Sequence, residues 1–492
     1  MKDITITVPG FRASIPKEKL NVHTLEEIAL ELAIQIGKQV MIKTLKEVDD
    51  GLMKERDKEN LKNQGLRARY LTTRLGDISF KRRAYYDSAR KLRYLLDEDM
   101  GLEKNRRVTV QREKIESMLA ATSESYRDAQ MRCEAFFGGS RSHETIRSQV
   151  IREGKRIERK ERNLAKSEIS NQASSPARDM VIVEVDGTPI HLQKKDRKLY
   201  RRRMTEVRLG IAYTGWERRY RGGNGKQVRL KDKYVYGEVG TDGSGFMERL
   251  SSVCEERYEI SKAKVSLVGG DGAWWIREGQ RDWFPNSQLC LCKYHLQKAL
   301  TDTLGYSKEI RNHIKRLIAK KDLLGVKKVL DKERIKAWMD EKKTEKIAKL
   351  KGYLIDNWEA IDGVRKAKKK NPHLKSKLRN TGAIEGNIDK VIANRFKKRG
   401  RGWSMRGASG LLKVGTKIRN GDWDSWWREE RSQPLPEVLT KEEIKQLIPD
   451  NLRNDSLWDG PDEADIPILR GPFQGYPYVE SIRELVGLVK VR

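Results

Sequence analysis

The sequence has few cysteines and no long apolar run, and both absences narrow the class of protein. Four cysteines in 492 residues (Cys133, Cys254, Cys290 and Cys292) are too few for a disulfide framework, so we expect a reducing, cytoplasmic environment. No stretch approaches the roughly 18 consecutive apolar residues that span a bilayer. The first residues lack the apolar segment of a secretory signal, so we expect neither export nor a membrane partner.

Acidic residues are outnumbered by basic ones. The chain has 103 Lys and Arg against 71 Asp and Glu, which gives a formal net charge of +32. This excess is typical of a protein that binds a polyanion, because each neutralised phosphate releases condensed counterions. A merely soluble, well-charged surface is the alternative, since net charge also governs solubility. We favour nucleic acid as the partner.

Residues 1–110 are predicted to form a region of helix and small β structure. Apolar residues recur at three- and four-residue steps from Leu25 to Val40, which predicts a helix from Thr24 to about Asp50. That helix either packs on its own domain or serves self-association. The run from Thr72 to Tyr86 predicts strands around a Gly-Asp turn.

Residues 111–170 are predicted to contain a helix–turn–helix and a linker. Ser125 can cap one helix, glycines at 138 and 139 end it, and Ser142 can cap a second, HETIRSQVIREG. We expect Arg147 and Gln149 to face outward and contact DNA. An ordinary helical hairpin has the same pattern. The charged segment 155–166 and the polar run 171–176 are interpreted as the linker.

The next region, 177–306, has the pattern of a mixed α/β sheet. Three strands in succession are followed by a helix, a strand, a helix, a short strand and a helix. The predicted strands are Met180–Val185, Val207–Tyr213, Tyr234–Val239, Ala263–Val268 and Gln288–Cys292, and the predicted helices are Phe246–Tyr258, one after Asp271, and Tyr294–Leu304.

Lysine-rich helices are predicted over 307–380, and the composition changes again beyond them. A last coherent helix is predicted from about Ala383 to Lys398, within a segment 381–420. Residues 421–492 form a tail with prolines and acids that suggests no mechanism.

Three acids in this order are candidates for phosphodiester chemistry. Asp186 is placed at the end of the first strand, on the face opposite Val183 and Val185. Asp271 lies between glycines after the fourth strand, and Glu385 lies in the first turn of the last helix. Any one of them could be a solvated turn residue. Glu184 and Asp389 are the respective alternatives to Asp186 and Glu385.

Carboxylates suit this chemistry because hard divalent cations prefer oxygen ligands. Two such ions about 3.5–4 Å apart stabilise both the attacking and the leaving oxygen of an in-line displacement. We expect two Mg²⁺ or Mn²⁺ ions, with Asp186 between them and with Asp271 and Glu385 each holding one. No Ser or Tyr nucleophile motif is evident.

Four segments resemble the DDE transposases of bacterial insertion sequences, in particular the ISLre-type group related to the Mutator-like superfamily. They are VEVDGTPI, GGDGAWWI, LCKYHLQKAL and AIEGNIDKVIANRFKKRGRGWS, which occur in the family's order over about 179–413. Each is short, and the ordered set is specific.

The resemblance implies an RNase H-like catalytic domain with the first and fourth strands side by side. That arrangement would bring Asp186 and Asp271 together across 85 positions (271 − 186). The 114 positions (385 − 271) before Glu385 imply a helical insertion. The resemblance also implies double-stranded DNA partners, namely the element's terminal repeats and the target. It further implies a homo-oligomer in the nucleoid.

Cys292 and His295 match a Cys-or-Asp, two residues, His motif of this superfamily. We expect Asp in place of Cys292 in closer relatives. A buried cysteine beside a helix-capping histidine is one alternative. A zinc site of Cys290, Cys292 and His295 is another, although no fourth ligand lies at a usual spacing.

A basic segment begins near the end of the predicted helix that carries Glu385, and we expect it to contact DNA. Lysines and arginines suit phosphates, and Trp403 either stacks on a base or packs below the site. The predicted contacts are Arg395, Lys397, Lys398, Arg399, Arg401 and Trp403.

The sequence therefore predicts a DNA transposase that cleaves strands at element ends and joins them to target DNA. A nuclease or resolvase of the same fold would cleave without joining strands. A DNA-binding protein without chemistry is the third hypothesis, which the presence of all three acids disfavours.

Overall fold

A computed structural model describes residues 21–139, 141–166, 178–218, 228–397, 400–431 and 440–447. The chain divides into two compact units, one of residues up to Val150 together with those from Asp424, and one of Ile151–Trp423. Within the described ranges, no helix has both the length and the apolar content to cross a membrane. The predicted linker 171–176, the proline- and acid-containing parts of the tail (432–439 and 448–492), Lys398 and Arg399 lie outside them.

The first unit contains a long helix packed on a β-hairpin. Leu45 and Val48 of the helix lie in one apolar cluster with Ile78 and Phe80 of the hairpin. The predicted helix and hairpin are confirmed, with the turn at residues 74–75 instead of at the Gly-Asp step. The elements of this part are α1 (Val22–Glu55), β1 (Lys62–Thr73), β2 (Gly76–Tyr86), β3 (Leu92–Arg93) and α2 (Leu95–Asp99).

Three helices follow, α3 (Val110–Thr122), α4 (Tyr126–Phe137) and α5 (His143–Lys166). The predicted caps are confirmed, because Ser125 Oγ accepts the Asp128 N–H and Ser142 Oγ accepts the Thr145 N–H. The prediction of a linker over 155–166 is wrong. Helix α5 continues through this segment because Ile157 is fully buried and holds it in a core.

The second unit is built on a mixed five-stranded sheet. Its strands are β4 (Met180–His191), β5 (Met204–Tyr213), β8 (Tyr234–Val239), β9 (Val265–Gly270) and β10 (Gln288–Leu291), in the spatial order β10-β9-β4-β5-β8. Strand β4 pairs antiparallel with β5 and parallel with β9, so the first and fourth strands of this sheet are neighbours. A separate two-stranded ribbon consists of β6 (Trp216–Arg218) and β7 (Val228–Leu230).

Helices cover the sheet. Val181, Val183 and Val185 point into a core formed with α7 and α8, as their alternation predicts. The helices of this unit other than α5 are α6 (Lys194–Leu199), α7 (Gly243–Tyr258), α8 (Trp274–Trp283), α9 (Lys293–Leu304), α10 (Lys308–Lys320), α11 (Leu323–Lys336), α12 (Glu341–Asp356), α13 (Trp358–Ile361), α14 (Gly363–Lys370), α15 (Ala383–Asn387) and α16 (Met405–Arg419). Two short helices lie later in the chain, α17 (Trp423–Ser425) and α18 (Lys441–Leu447).

The predicted strands and helices of 177–306 are confirmed as a mixed α/β arrangement, and 308–370 is helical as predicted. Helices α9 to α13 enclose an apolar cluster of their own that includes Leu300, Ile314, Leu330 and Leu354. The last predicted helix is present as α15 followed by a π-helical segment, Ile388–Lys397.

Candidate active site

Asp186 lies in the middle of β4, where its neighbour strand β9 stops. The last β4–β9 pair is Glu184 with Gly269, whereas the pairing of β4 with β5 continues to His191. The prediction that Asp186 closes its strand is therefore wrong. Its carboxylate is 8% exposed, and Oδ1 accepts the N–H of Gly187 at 2.7 Å.

Asp271 follows directly after β9 and is held from two sides. Its Oδ1 accepts the Ala273 N–H at 2.9 Å, just before α8 begins. Its backbone carbonyl accepts the Tyr353 hydroxyl of α12 at 2.8 Å. Gly272 has φ +90° and a Cβ there would lie 2.7 Å from Asn357 Oδ1, so this turn requires glycine. Helix α12 thus holds the turn that carries Asp271.

Glu385 is presented by α15, whose first turn is fixed by Glu184. One Glu184 carboxylate oxygen accepts the backbone N–H groups of Gly382 (2.7 Å) and Ile384 (3.2 Å), and the other accepts the Tyr213 hydroxyl (2.5 Å). Burial raises the pKa of Glu184, although these donors stabilise its charged form. Glu184 therefore anchors a helix start and is not a free alternative to Asp186.

The three predicted acids converge electrostatically. Burial, then the carboxylates of Asp271 and Glu385, raise the pKa of Asp186 to about 7. Glu206 of β5 adds a smaller effect of the same sign, although the Gly187 N–H opposes it. Like charges raise a carboxyl pKa in this way only when they are close. The parallel pairing of β4 with β9 brings Asp186 and Asp271 to the same edge of the sheet, and the effect on the pKa of Asp186 indicates that Glu385 lies near it, whereas Asp389 is exposed.

Cys292 and His295 lie next to Glu385. A sulfur, nitrogen and oxygen ligand atom from these three residues all lie within 4.8 Å of one another. The contact between His295 Nδ1 and a Glu385 oxygen is 3.2 Å, yet neither atom makes a hydrogen bond within the described part of the chain. Burial raises the pKa of the Cys292 thiol, although backbone N–H groups of His295 and Tyr294 stabilise the thiolate.

Within the described ranges, the group whose ligand atoms lie within 4.8 Å of one another is Cys292, His295 and Glu385, and Asp186 and Asp271 are not part of it. Carboxylate oxygens are the ligands that Mg²⁺ and Mn²⁺ prefer, and a buried oxygen without a hydrogen-bond partner offers a free ligand position. Among the described residues, Cys290 is not part of the cluster with Cys292 and His295. It lies instead against Gly363, where a Cβ would be 2.8 Å from its sulfur.

The structure contradicts one predicted DNA contact of α5. Gln149 is 2% exposed, and its amide donates to the Glu113 carbonyl (2.6 Å) and the Ser117 hydroxyl (2.8 Å). The prediction that it faces outward is wrong, because it supplies a polar contact between helices. Arg147 is partly exposed and forms an ion pair with Glu144.

The basic segment after α15 divides into surface and core residues. Trp403 is 8% exposed, donates to the Phe396 carbonyl at 3.0 Å and packs on the Phe396 ring, so its prediction as a DNA contact is wrong. The Arg401 guanidinium donates to the Arg395 carbonyl at 2.9 Å. Lys397 is exposed and its ammonium contacts the Thr188 hydroxyl, two residues beyond Asp186.

Sequence reasoning missed several residues that shape the site. Glu206 lies beside Asp186 because β5 pairs with β4, and its alternation within β5 was the only available signal. Tyr353 and Asn357 reach Asp271 from 82 or more positions away, and no local pattern marks them.

The comparisons with known proteins cover most of the chain. The profile of a family described as "Uncharacterised protein family (UPF0236)" matches residues 15–431. A UPF0236 protein of Caldanaerobacter subterraneus subsp. tengcongensis is 28% identical over 435 residues, which are 87% of this chain and 86% of that protein. A second from the same organism, whose name joins eleven locus designations, is 27% identical over 438 residues, 88% of this chain and 86% of that protein. The "UPF0236 protein in vanSb 3'region" of Streptococcus gallolyticus is 24% identical over 424 residues, 84% of this chain and 86% of that protein.

Proposed function

Since the chain belongs to the UPF0236 family, whose description assigns no activity, we propose from its site that it is a DNA transposase of an insertion sequence. In this proposal it cleaves DNA at the element's ends and joins the freed 3′-hydroxyl to target DNA. The observation that carries the proposal is the parallel pairing of β4 with β9, which ends two residues before Asp186 and Asp271, together with the hydrogen bonds from Glu184 to the start of the helix that carries Glu385.

The sheet supports an RNase H-like catalytic domain as part of this proposal. The strand order β10-β9-β4-β5-β8, with β4 parallel to β9 and antiparallel to β5, is the arrangement expected from the resemblance to DDE transposases. It places the carboxylate of β4 beside the one that follows β9. The helices over 308–370 correspond to the expected insertion between the second and third acids.

The residues have distinct roles in the proposed chemistry. Two divalent cations, when bound, would supply Lewis-acid activation of the attacking and leaving oxygens. Asp186, Asp271 and Glu385 would hold them. Glu184 orients the helix start that carries Glu385, and Tyr353 fixes the turn that carries Asp271. The exposed ammonium of Lys397, beside β4, is placed to contact a DNA phosphate.

Copy number in a relative adds support of a different kind. The name of one Caldanaerobacter relative joins eleven locus designations. Multiple genomic copies are what an element that transposes is expected to leave.

A strand-transfer assay tests the proposal. DNA carrying the element's ends is incubated with the full chain and Mg²⁺ or Mn²⁺, and products are resolved by length. We expect joined products from the wild type and none from Asp186→Ala or Glu385→Gln, whereas Asp389→Asn, changed at an exposed acid of the same helical segment, retains them.

Two results would contradict it. Cut products without joined products would identify a nuclease or resolvase. DNA that is bound yet unchanged under every metal would leave a DNA-binding protein without chemistry.

A further inference from the structure

A second candidate site lies in the second unit, at the start of β4. A cavity of about 500 Å³ opens there, which is within the size range of ligand sites. It is bounded by the residues at the start of β4, the turn after β5, the first residue of β6, the residue after β7, and the segment ahead of α15. Its side chains include Arg178, Asp179, Trp216, Lys231, Lys377 and Arg379.

The charge of this cavity is positive and largely uncompensated. Arg178 lies 3.5 Å from Asp232, and Asp179 binds Lys264 at 2.8 Å, so these two lining residues have partners of opposite charge. Lys231, Lys377 and Arg379 are exposed and have no ion pair within the described ranges of the chain. Three such cations around one concave surface favour an anionic ligand.

Trp216 supplies a fixed aromatic surface beside these cations. Its ring packs edge-on against Tyr213 with centroids 5.2 Å apart, and the Arg379 guanidinium lies 6.0 Å from its centroid. Tyr213 is held in turn by its hydrogen bond to Glu184. An immobilised, half-buried tryptophan loses little conformational entropy when a planar group stacks on it.

The cavity and the acid cluster lie on the same face of the sheet. Met180, which lines the cavity, and Asp186 are an even number of positions apart in β4 (186 − 180 = 6) and so point to the same side of the sheet. Six residues at about 3.3 Å each separate them by roughly 20 Å. The segment that carries Lys377 and Arg379 continues directly to Gly382 and Glu385, so it runs from the cavity to the acids.

We propose that this cavity binds one nucleotide of a single DNA strand, with the base on Trp216 and the flanking phosphates against Lys231, Lys377 and Arg379. Base stacking on an aromatic ring combined with cations along the backbone is how single strands are held without sequence preference. The strand would then extend over the face of β4 to the carboxylates. The identity of the ligand as DNA rests on the proposed function.

The test is binding of the full chain to a fluorescein-labelled oligonucleotide of twenty deoxythymidines, in EDTA, by fluorescence anisotropy. We expect Trp216→Ala to weaken binding about fivefold or more, because stacking contributes at least about 1 kcal/mol per base. The matched control Trp338→Ala, at a tryptophan 72% exposed outside the cavity, should bind as the wild type does.

Salt dependence separates a phosphate contact from a structural effect. The double variant Lys377→Gln/Arg379→Gln should lower the slope of log affinity against log salt by about 1.4, because each single-strand phosphate contact contributes about 0.7. The control Lys346→Gln/Lys349→Gln, on exposed positions of α12, should leave the slope unchanged.

Three outcomes would overturn the inference. They are unchanged affinity in a folded Trp216→Ala variant, an equal loss in both tryptophan variants, and displacement of the oligonucleotide by thymidine 5′-monophosphate at equal concentration, which would identify a free nucleotide as the ligand. Because binding is measured without metal or cleavage, an absence of strand transfer would refute the proposed function and leave this result intact.

Discussion

Asp186 is buried in a position that favours its neutral form while no cation is bound. Removal from water disfavours the carboxylate, and Asp271 and Glu385 add like charge beside it. A divalent cation bound as proposed would reverse both effects, because it would supply the opposite charge. The burial and like charge around Asp186 therefore destabilise the metal-free fold at neutral and higher pH.

Substitution of Asp186 by Asn should remove that pH dependence. The folded pKa of about 7 lies above the usual value of 3.8, so the folded state holds a proton that the unfolded state has lost between about pH 4 and pH 7. The contribution of this proton to the free energy of unfolding is fully present below pH 4 and is lost as the pH rises through 7. In EDTA, we expect Asp186→Asn to melt higher than the wild type at pH 8 and equally at pH 4.

Thermal unfolding followed by circular dichroism measures this difference. Mn²⁺ should raise the melting temperature of the wild type at pH 8 and raise that of the variant much less. A difference in melting temperature between the wild type and the variant that is the same at pH 4 and pH 8 would contradict the raised pKa of Asp186.

Glu184 contributes to the fold through its hydrogen bonds. It is 1% exposed and accepts two backbone N–H groups at the start of α15 and one hydroxyl. Glu184→Ala leaves buried donors unpaired, which should lower the free energy of unfolding by about 2–4 kcal/mol. Tyr213→Phe removes one partner only and should cost about 1 kcal/mol. Urea unfolding measures both, and equal losses in the two variants would show that Glu184 is not the anchor.

At the scale of elements, helices α5 and α16 approach each other through glycine. A Cβ at Gly154 would lie 2.3 Å from the Gly410 Cα, a distance that backbone atoms cannot accommodate without separating the helices. This contact explains why a residue that is unfavourable inside a helix occurs in the middle of α5.

Gly154→Ala should therefore destabilise the second unit by about 1–3 kcal/mol, as overpacking does. The control is Gly352→Ala in α12, where nothing lies within 4 Å of the new Cβ. That change should stabilise by about 0.5–1 kcal/mol, because alanine is the better helix former. Denaturant unfolding of the two variants should give shifts of opposite sign, and a stabilised Gly154→Ala would refute the close approach.

For the whole molecule, the formal net charge of +32 predicts strongly salt-dependent binding to duplex DNA. With six to ten phosphate contacts, affinity should fall by about 10³–10⁵ between 50 and 200 mM salt. Anisotropy of a labelled duplex across that range measures it. A fall of less than tenfold would mean that the charge serves solubility and not a DNA surface.

Much of the fold could be predicted because strand alternation and helical periodicity are local. Met180–Val185 alternates correctly, so the placement of Glu184 and Asp186 on the face opposite the valines followed from the pattern. The end of β4 could not be predicted, because His191 stays in the strand only through its pairing with β5. Gln149 was misplaced because a polar side chain at helical spacing does not reveal which neighbour will cover it. The sequence left Trp403 between stacking on a base and packing below the site, and only its contact with Phe396 decided for packing.

What the sequence alone determined is the inventory: an excess of positive charge, the order of the elements, and three acids set beside strands and a helix. Tertiary structure decided which of these groups meet. The parallel pairing of β9 with β4 brings Asp271 towards Asp186. Glu184 accepts the N–H of Ile384, which is 200 positions away in the chain, and so orients the helix that carries Glu385. Such contacts join residues far apart in the chain, and their free energy depends on packing and burial that no local pattern encodes.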